Sequence, residues 1–354
     1  MLNMRGKRYR SLCLWYYECR KLFGGVLPIL ICVLFLLLGA RDAYQSLVLP
    51  RTFEENLTRE YMDALEGEVT EEKRRFIHEQ KEEIERILAR SAEMTEAYQN
   101  GSVDHEAYAA YIAARNDAMD KTEVVEQLEQ RLWRIDELAM DGKRADLVFE
   151  VGWERIFSSD IDYYLAALLL LLLSGIYAYE KRYRFSMILR SSKNGRWKTA
   201  RTKLFIALLL SFLAGLASFA YRLMLVTTSI GLSSAHSPAA SLVGYENFSG
   251  SLLQLLLLNG FLCIAGAVVL GLFCFSLSAL FEKTLPVMAL TALSVLSVPL
   301  LHVFDVTVMD GLMLNGLLSG MSPILSGAGA IAAVLWSSVA ALLTVLSFCK
   351  VKGA

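Results

Sequence analysis

Residues whose types and spacing could do chemistry fall in four places. His78-Glu79-Gln80-Lys81-Glu82 opens like a zinc-protease helix, but Glu82 stands where the second histidine belongs. A charged, solvent-facing turn is the simpler account, and His105, His236 and His302 have no Cys or His at ligand spacing. Gly142-Lys143-Arg144 lacks the first glycine and the hydroxyl residue of a phosphate-binding loop. His302 and Asp305 sit together near the end of an apolar run, where a proton role and a plain interfacial role both fit. The fourth place is Glu180 to Lys203, EKRYRFSMILRSSKNGRWKTARTK, with nine Lys/Arg and one acid in 24 residues. Phe185, Ile188 and Leu189 lie on one side of a short helix, with Arg182, Arg184 and Arg190 around it. Ser191 to Gly195 breaks that helix, and Arg196 to Lys203 leads into the next apolar run. Two roles fit this segment: an interfacial helix that binds anionic lipid and fixes topology, or a docking helix for a cytosolic partner.

Around this segment the chain alternates between two kinds of sequence. Of its 354 residues 55% are apolar, more than the roughly 50% of soluble domains. Residues 41–162 hold 16 Lys/Arg against 30 Asp/Glu, while the remainder holds 19 against 6. An acidic, water-soluble insert therefore interrupts lipid-class sequence with basic edges. Six apolar runs, 22–40, 161–179, 204–226, 251–281, 284–304 and 327–349, are long enough to cross a hydrocarbon core, which takes about 20 helical residues. None has a central Lys, Asp or Glu, and Arg222 lies near the end of its run, where it can snorkel. The first run is read as a signal anchor, since a cleavable signal peptide has a shorter apolar stretch of about 7–15 residues.

Lys/Arg in short loops set orientation. Residues 1–21 carry six and 180–203 carry nine, whereas 227–250 and 305–326 carry none. Lys283, Lys350 and Lys352 fall on the same side as the first two segments, so both termini are expected in the cytosol. The expected architecture is all-α: a six-helix transmembrane bundle with an extracellular domain, 41–160, between the first two spans. Its divisions are a leader at 1–21, a first span at 22–40, five further spans within 161–349 and a tail at 350–354. All six cysteines fall in membrane or cytosolic segments, so the outer domain stands without disulfides, as suits a bacterial cell membrane.

Within the insert, 52–66 reads as a short helix, and Thr70 caps a helix over 71–99 whose Glu71 and Glu72 suit its dipole. Phe76, Ile84, Ile87, Met94 and Tyr98 recur at helical spacing along it. Asn100-Gly101-Ser102 marks a turn. A second helix over 103–140 then carries Tyr108, Tyr111, Val125, Leu128, Leu132 and Ile135 on its apolar side. The pattern predicts an antiparallel, coiled-coil-like helical hairpin, serving either as a spacer or as a gating or partner-docking element.

With these elements in place the chain resembles the type-2 ABC transporter permeases. That family has six spans, an amphipathic leader and a cytosolic coupling helix between the second and third spans. Its coupling region opens with a Glu and closes with a Gly and a Lys, matched here by Glu180, Gly195 and Lys203. Tyr9, Leu12, Trp15, Tyr16 and Leu22 would be the lipid-facing residues of the leader. The family's usual Pro after the serines is missing. The resemblance implies that Glu180, Phe185, Ile188, Leu189, Gly195, Arg196 and Lys203 couple the chain to a separate ABC-type ATPase, which would hold the ATP and Mg. It also implies a second permease copy, or a related permease, as partner in the bilayer. No catalytic, cofactor-binding or metal-ligating set belongs to this chain, and no nucleic-acid partner is expected. Small-xxx-small patterns at Ser211/Gly215, Ala267/Gly271 and Gly329/Ala333 permit close helix approach. Gln254 and Asn259, in the fourth span, fit either interhelical hydrogen bonding or a substrate path. The competing class is a non-transport sensor or envelope scaffold that binds a partner through the hairpin.

Overall fold

The computed structural model describes residues 15–49, 52–157, 162–182, 195–302 and 328–353. They are helical throughout, joined by turns, and among them only two isolated bridges, Gly67–Leu147 and Pro238–Ser251, resemble strand pairing. The chain divides into two compact units. One comprises 1–48, 155–229 and 256–354, and the other 49–154 and 230–255.

The first unit is built from apolar helices. Residues 15–23 form α1. After Gly24 and Gly25 interrupt the helix, α2 runs Val26–Leu47. It begins later and extends further than the 22–40 span read from hydropathy, because Arg41 to Leu47 stay helical and bury Ala43 and Leu47. The 161–179 run is divided at Ser174 into α8 (Tyr163–Leu173) and α9 (Gly175–Arg182). Then come α10 (Gly195–Ser229), α11 (Leu252–Leu280), α12 (Thr284–His302) and α13 (Ala328–Gly353). Among the described residues three stretches are long and apolar enough to cross a membrane: Val26–Leu47, Lys198–Ser229 and Leu252–Leu280. Tyr163–Tyr177, Thr284–Leu296 and Val334–Leu346 are apolar but shorter within the described residues.

Leu165, Leu169, Leu173, Leu270, Phe275 and Val287 form the core of this unit. Its outward faces are equally apolar: Leu27, Leu30, Leu34 and Leu37 of α2, and Phe205, Phe212 and Leu213 of α10, are exposed. Water would penalise such a surface and lipid would not, so these are the surfaces of a membrane protein. Helices α10 and α11 approach closely where small residues meet. A Cβ on Gly215 would sit 2.9 Å from the Ala267 methyl, and one on Gly271 would overlap the Ser211 side chain. Two of the three small-residue patterns therefore face each other within one chain. The side chains of Gly329/Ala333 lie outside the described residues.

The second unit begins with α3 (Phe53–Leu65), capped by Thr52, and α4 (Glu71–Ala89), capped by Thr70. The helix expected over 71–99 is interrupted at Arg90, beyond which α5 covers Ser91–Gln99. Asp104 accepts from the Ala107 amide at 2.8 Å and starts α6 (His105–Met140). Helix α6 returns antiparallel along α4 and α5. Arg74 forks onto Asp136 at 2.8 and 2.5 Å, Lys81 reaches Glu129 at 2.6 Å, and the Tyr98 and Tyr108 rings stack at 4.1 Å. Between these helices Ile77 and Ile84 meet Ala118, Val125, Leu128 and Leu132, with Met62 and Leu65 of α3 closing the core. Ile77, at 1% exposed, takes the core position expected for Phe76, which stays 38% exposed beside Tyr61. Ile77 is seven residues before Ile84, two helical turns, and therefore shares its face.

Residues 230–255, which combine most of the short loop expected at 227–250 with the start of the 251–281 run, are a fitted part of this unit. Ile230 enters its core. The Trp153 indole donates to the Ser233 carbonyl at 3.0 Å, and the Asp146 amide donates to Ser241 Oγ at 2.9 Å. Trp153 and Glu150 belong to α7 (Glu150–Phe157). Arg134 donates to the Ala240 carbonyl and to Glu246, both at 3.1 Å, and Arg131 lies 3.3 Å from buried Glu150. A Cβ on Gly152 would overlap the Gly231 carbonyl, so the two segments touch backbone to backbone.

Candidate functional site: a buried charge cluster at the ends of the basic segment

Two residues from opposite ends of the basic segment meet. Glu180 is near the end of α9 and Lys203 is in the third turn of α10, yet Lys203 Nζ lies 2.9 Å from Glu180 Oε1. The antiparallel course of α8–α9 and α10 brings them together. Helix α1 completes the cluster: Lys21 Nζ is 2.7 Å from Glu180 Oε1 and 3.2 Å from Glu18 Oε1, and Glu18 Oε2 is 3.7 Å from Lys203. Two cations and two anions therefore neutralise each other.

Lys203 is fully buried. Its ammonium also donates to the Ile176 carbonyl at 2.6 Å and lies 4.6 Å over the Tyr177 ring, so its remaining face is met by a dipole and a π cloud. Lys21 lies similarly over Tyr17 at 4.7 Å. Removing such ions from water costs several kcal/mol each, and the loss is offset only when every donor has a partner, as here. The arrangement can hold three helices in one register and transmit force among them.

The other residues singled out in the sequence are distributed differently. Gly195 begins α10 and Arg196 follows it in the first turn. The side chains of both lie outside the described residues, as do Phe185, Ile188 and Leu189 altogether. In the leader Trp15 and Tyr16 are exposed, but Leu22 packs against the core instead of facing lipid. Tyr9 and Leu12 are outside the described residues. Gln254 is exposed in the first turn of α11, where its Oε1 accepts from the Ser251 amide at 3.1 Å, a capping contact. Asn259 is buried and lines a small cavity with Asp162, Ser218, Phe219, Arg222 and Cys263.

Sequence reasoning missed three members of this polar framework. Glu18 is the one acid in a leader otherwise counted for its basic residues, and that singularity was the available signal. Tyr177 reads as one more apolar-span aromatic. Asp162 stands at the very edge of its apolar run, where it looks like a boundary residue. It is buried, caps α8 through the Leu165 amide at 2.8 Å, and accepts from the hydroxyls of Ser218 (2.5 Å) and Tyr221. Among the described residues no group of His, Cys, Asp and Glu could hold a metal ion. Compared with known proteins, the chain matches no family model, no curated protein and no solved structure.

Proposed function

We propose that this chain is the membrane-spanning subunit of an ATP-driven exporter of the type-2 ABC permease class, set in a bacterial cell membrane. In this reading six spans place both termini in the cytosol, and residues 41–160 lie outside. Two copies, or this chain and a related one, form the pathway. A separate ATPase carries the nucleotide and Mg, since the chain has no phosphate-binding loop of its own.

The observation that supports the reading is the cluster of Glu18, Lys21, Glu180 and Lys203. A docking segment is useful only if a push on it moves the spans. Here residues 183–194 connect two helices whose facing ends are joined by a buried ion pair, and that pair is held to the leader as well. Separating the three helices would strand a buried charge, so a displacement imposed on the segment moves them together. ATP-driven closure of the partner would then act on the leader and on the second and third spans as one lever.

The test is coupling. Co-expressed with its ATPase, the chain should retain it through purification, and Arg196→Glu should lower substrate-stimulated hydrolysis several-fold without changing membrane insertion. Purified chain that associates with no nucleotide-binding subunit would overturn the permease reading in favour of a sensor or envelope scaffold.

A further inference from the structure

We propose that the outward face of α6 is a docking strip for a cationic amphipathic helix. Met119, Trp133 and Met140 are 53%, 69% and 87% exposed, although large apolar side chains elsewhere in this unit mostly enter its core. Their spacings of 14 and seven residues are whole multiples of two helical turns, so they follow one line along the helix, drifting by only ~20° per seven residues. At 1.5 Å per residue the line is about 32 Å long, the length of a partner helix of roughly 20 residues. The residues between them on the same face are Glu123, Glu126, Gln130 and Glu137, all exposed. Among the described residues no ion pair reaches Glu126 or Glu137, whereas Glu123 shares a hydrogen bond with Glu54, and Glu129 and Asp136 on the flank are already taken by Lys81 and Arg74.

Charge selects the occupant. Two carboxylates without an ion pair, Glu126 and Glu137, interleaved with Trp and Met repel an anionic lipid surface. They also oppose a second copy of the same face, which would set acid against acid. A helix with a Leu-type stripe flanked by Lys or Arg satisfies both the apolar and the acidic positions. Trp133 has the character of an interface anchor, a large rigid side chain amid acids that can pair with a partner's cations. This strip is independent of the ATPase reading: it concerns the second unit alone and would stand if residues 180–203 engaged no ATPase.

The experiment uses the full chain in phosphatidylcholine nanodiscs and a dye-labelled synthetic helix built only of Leu and Lys, read by fluorescence anisotropy against empty nanodiscs. Binding above the empty discs is expected. It should weaken at least tenfold in Trp133→Ala and in the double change Glu126→Gln/Glu137→Gln, and remain unchanged in Glu93→Gln on α5. A helix in which Glu replaces every Lys should not bind. Equal binding by all variants, or none by the native chain, overturns the proposal. A blue shift of Trp133 emission on anionic vesicles without peptide would reassign the strip to lipid. Particles whose mass doubles only when Trp133 is present would reassign it to self-association.

Discussion

A buried ion carries two different energies, and substitutions at Glu180 separate them. Glu180→Gln leaves Lys203 and Lys21 facing one remaining carboxylate, Glu18, in a site largely closed to water. The expected loss is about 3–5 kcal/mol, read as a lower unfolding temperature in detergent. The paired change Glu180→Leu/Lys203→Met removes charge from both sides and should recover most of that loss. In the proposed exporter it should also cut substrate-stimulated ATP hydrolysis, because the register of the three helices would no longer be enforced. A pair that proves as destabilising as the single change would argue for packing in place of charge. In the second unit Asp136 is a gentler case. The Arg74 fork holds its carboxyl below the ordinary carboxylate value of about 3.9. Its contribution to stability is therefore full above that value and is lost as pH falls below it. Glu150 acts in the opposite sense: burial pushes its carboxyl up, so protonating it relieves a cost. Asp136→Asn should flatten the acid limb of helical content against pH, and an unchanged limb would remove Asp136 from the account.

At the scale of elements, contact between α10 and α11 depends on what is absent. Gly271 faces Ser211, and any added carbon overlaps it. Gly271→Ala should cost about 1–3 kcal/mol through forced separation of the helices. Ser211→Gly on top of it should restore part of the loss, since the space is then returned from the other side. Thermal unfolding of the four variants gives the coupling directly, and simple additivity would show that the residues do not meet. Helix identity was readable here because glycines and serines four residues apart leave a mark in sequence. Their pairing was not, since any bundle contains several such patterns and only tertiary geometry matches them. Thr70 and Phe76 make the same contrast. The cap was legible because a hydroxyl before an acidic turn has a local cause. The core register slipped by one residue because Phe76 and Ile77 are both apolar, and the seven-residue spacing of Ile77 from Ile84 was the signal that chooses between them.

For the whole molecule, the division into apolar helices and an acidic helical unit follows the charge partition of the sequence. The part played by 230–255 does not, because its anchoring runs through single hydrogen bonds from Trp153, Arg134 and Asp146 that have no periodicity to read. The cluster at Glu180 and Lys203 was half visible, since both residues bracket a conspicuously basic segment. Its other half, Glu18 and Lys21, comes from 159 residues away in the case of Lys21 and Glu180. Orientation in the bilayer has its own test. In a background without native cysteines, a membrane-impermeant thiol reagent added outside intact cells should label Asn100→Cys and spare Ser192→Cys. The opposite pattern would discard the six-span topology and the docking role of 180–203 with it.

Asp162 and Glu180 are 18 residues apart on α8–α9, and Lys203 and Tyr221 are 18 apart on α10. Glu180 meets Lys203 at one end of this antiparallel pair, and Asp162 meets Tyr221 at the other. At 1.5 Å per residue the two fastenings lie about 27 Å apart, with almost wholly apolar sequence between them. The pair is thus a gauge of fixed length, because neither helix can slide along the other without unfastening an end. A bilayer whose hydrocarbon is thicker than this gauge must thin locally around the protein, at a cost of fractions of a kcal/mol for each ångström. Acyl-chain length thereby becomes a physical variable acting on the same helices that flank the basic segment.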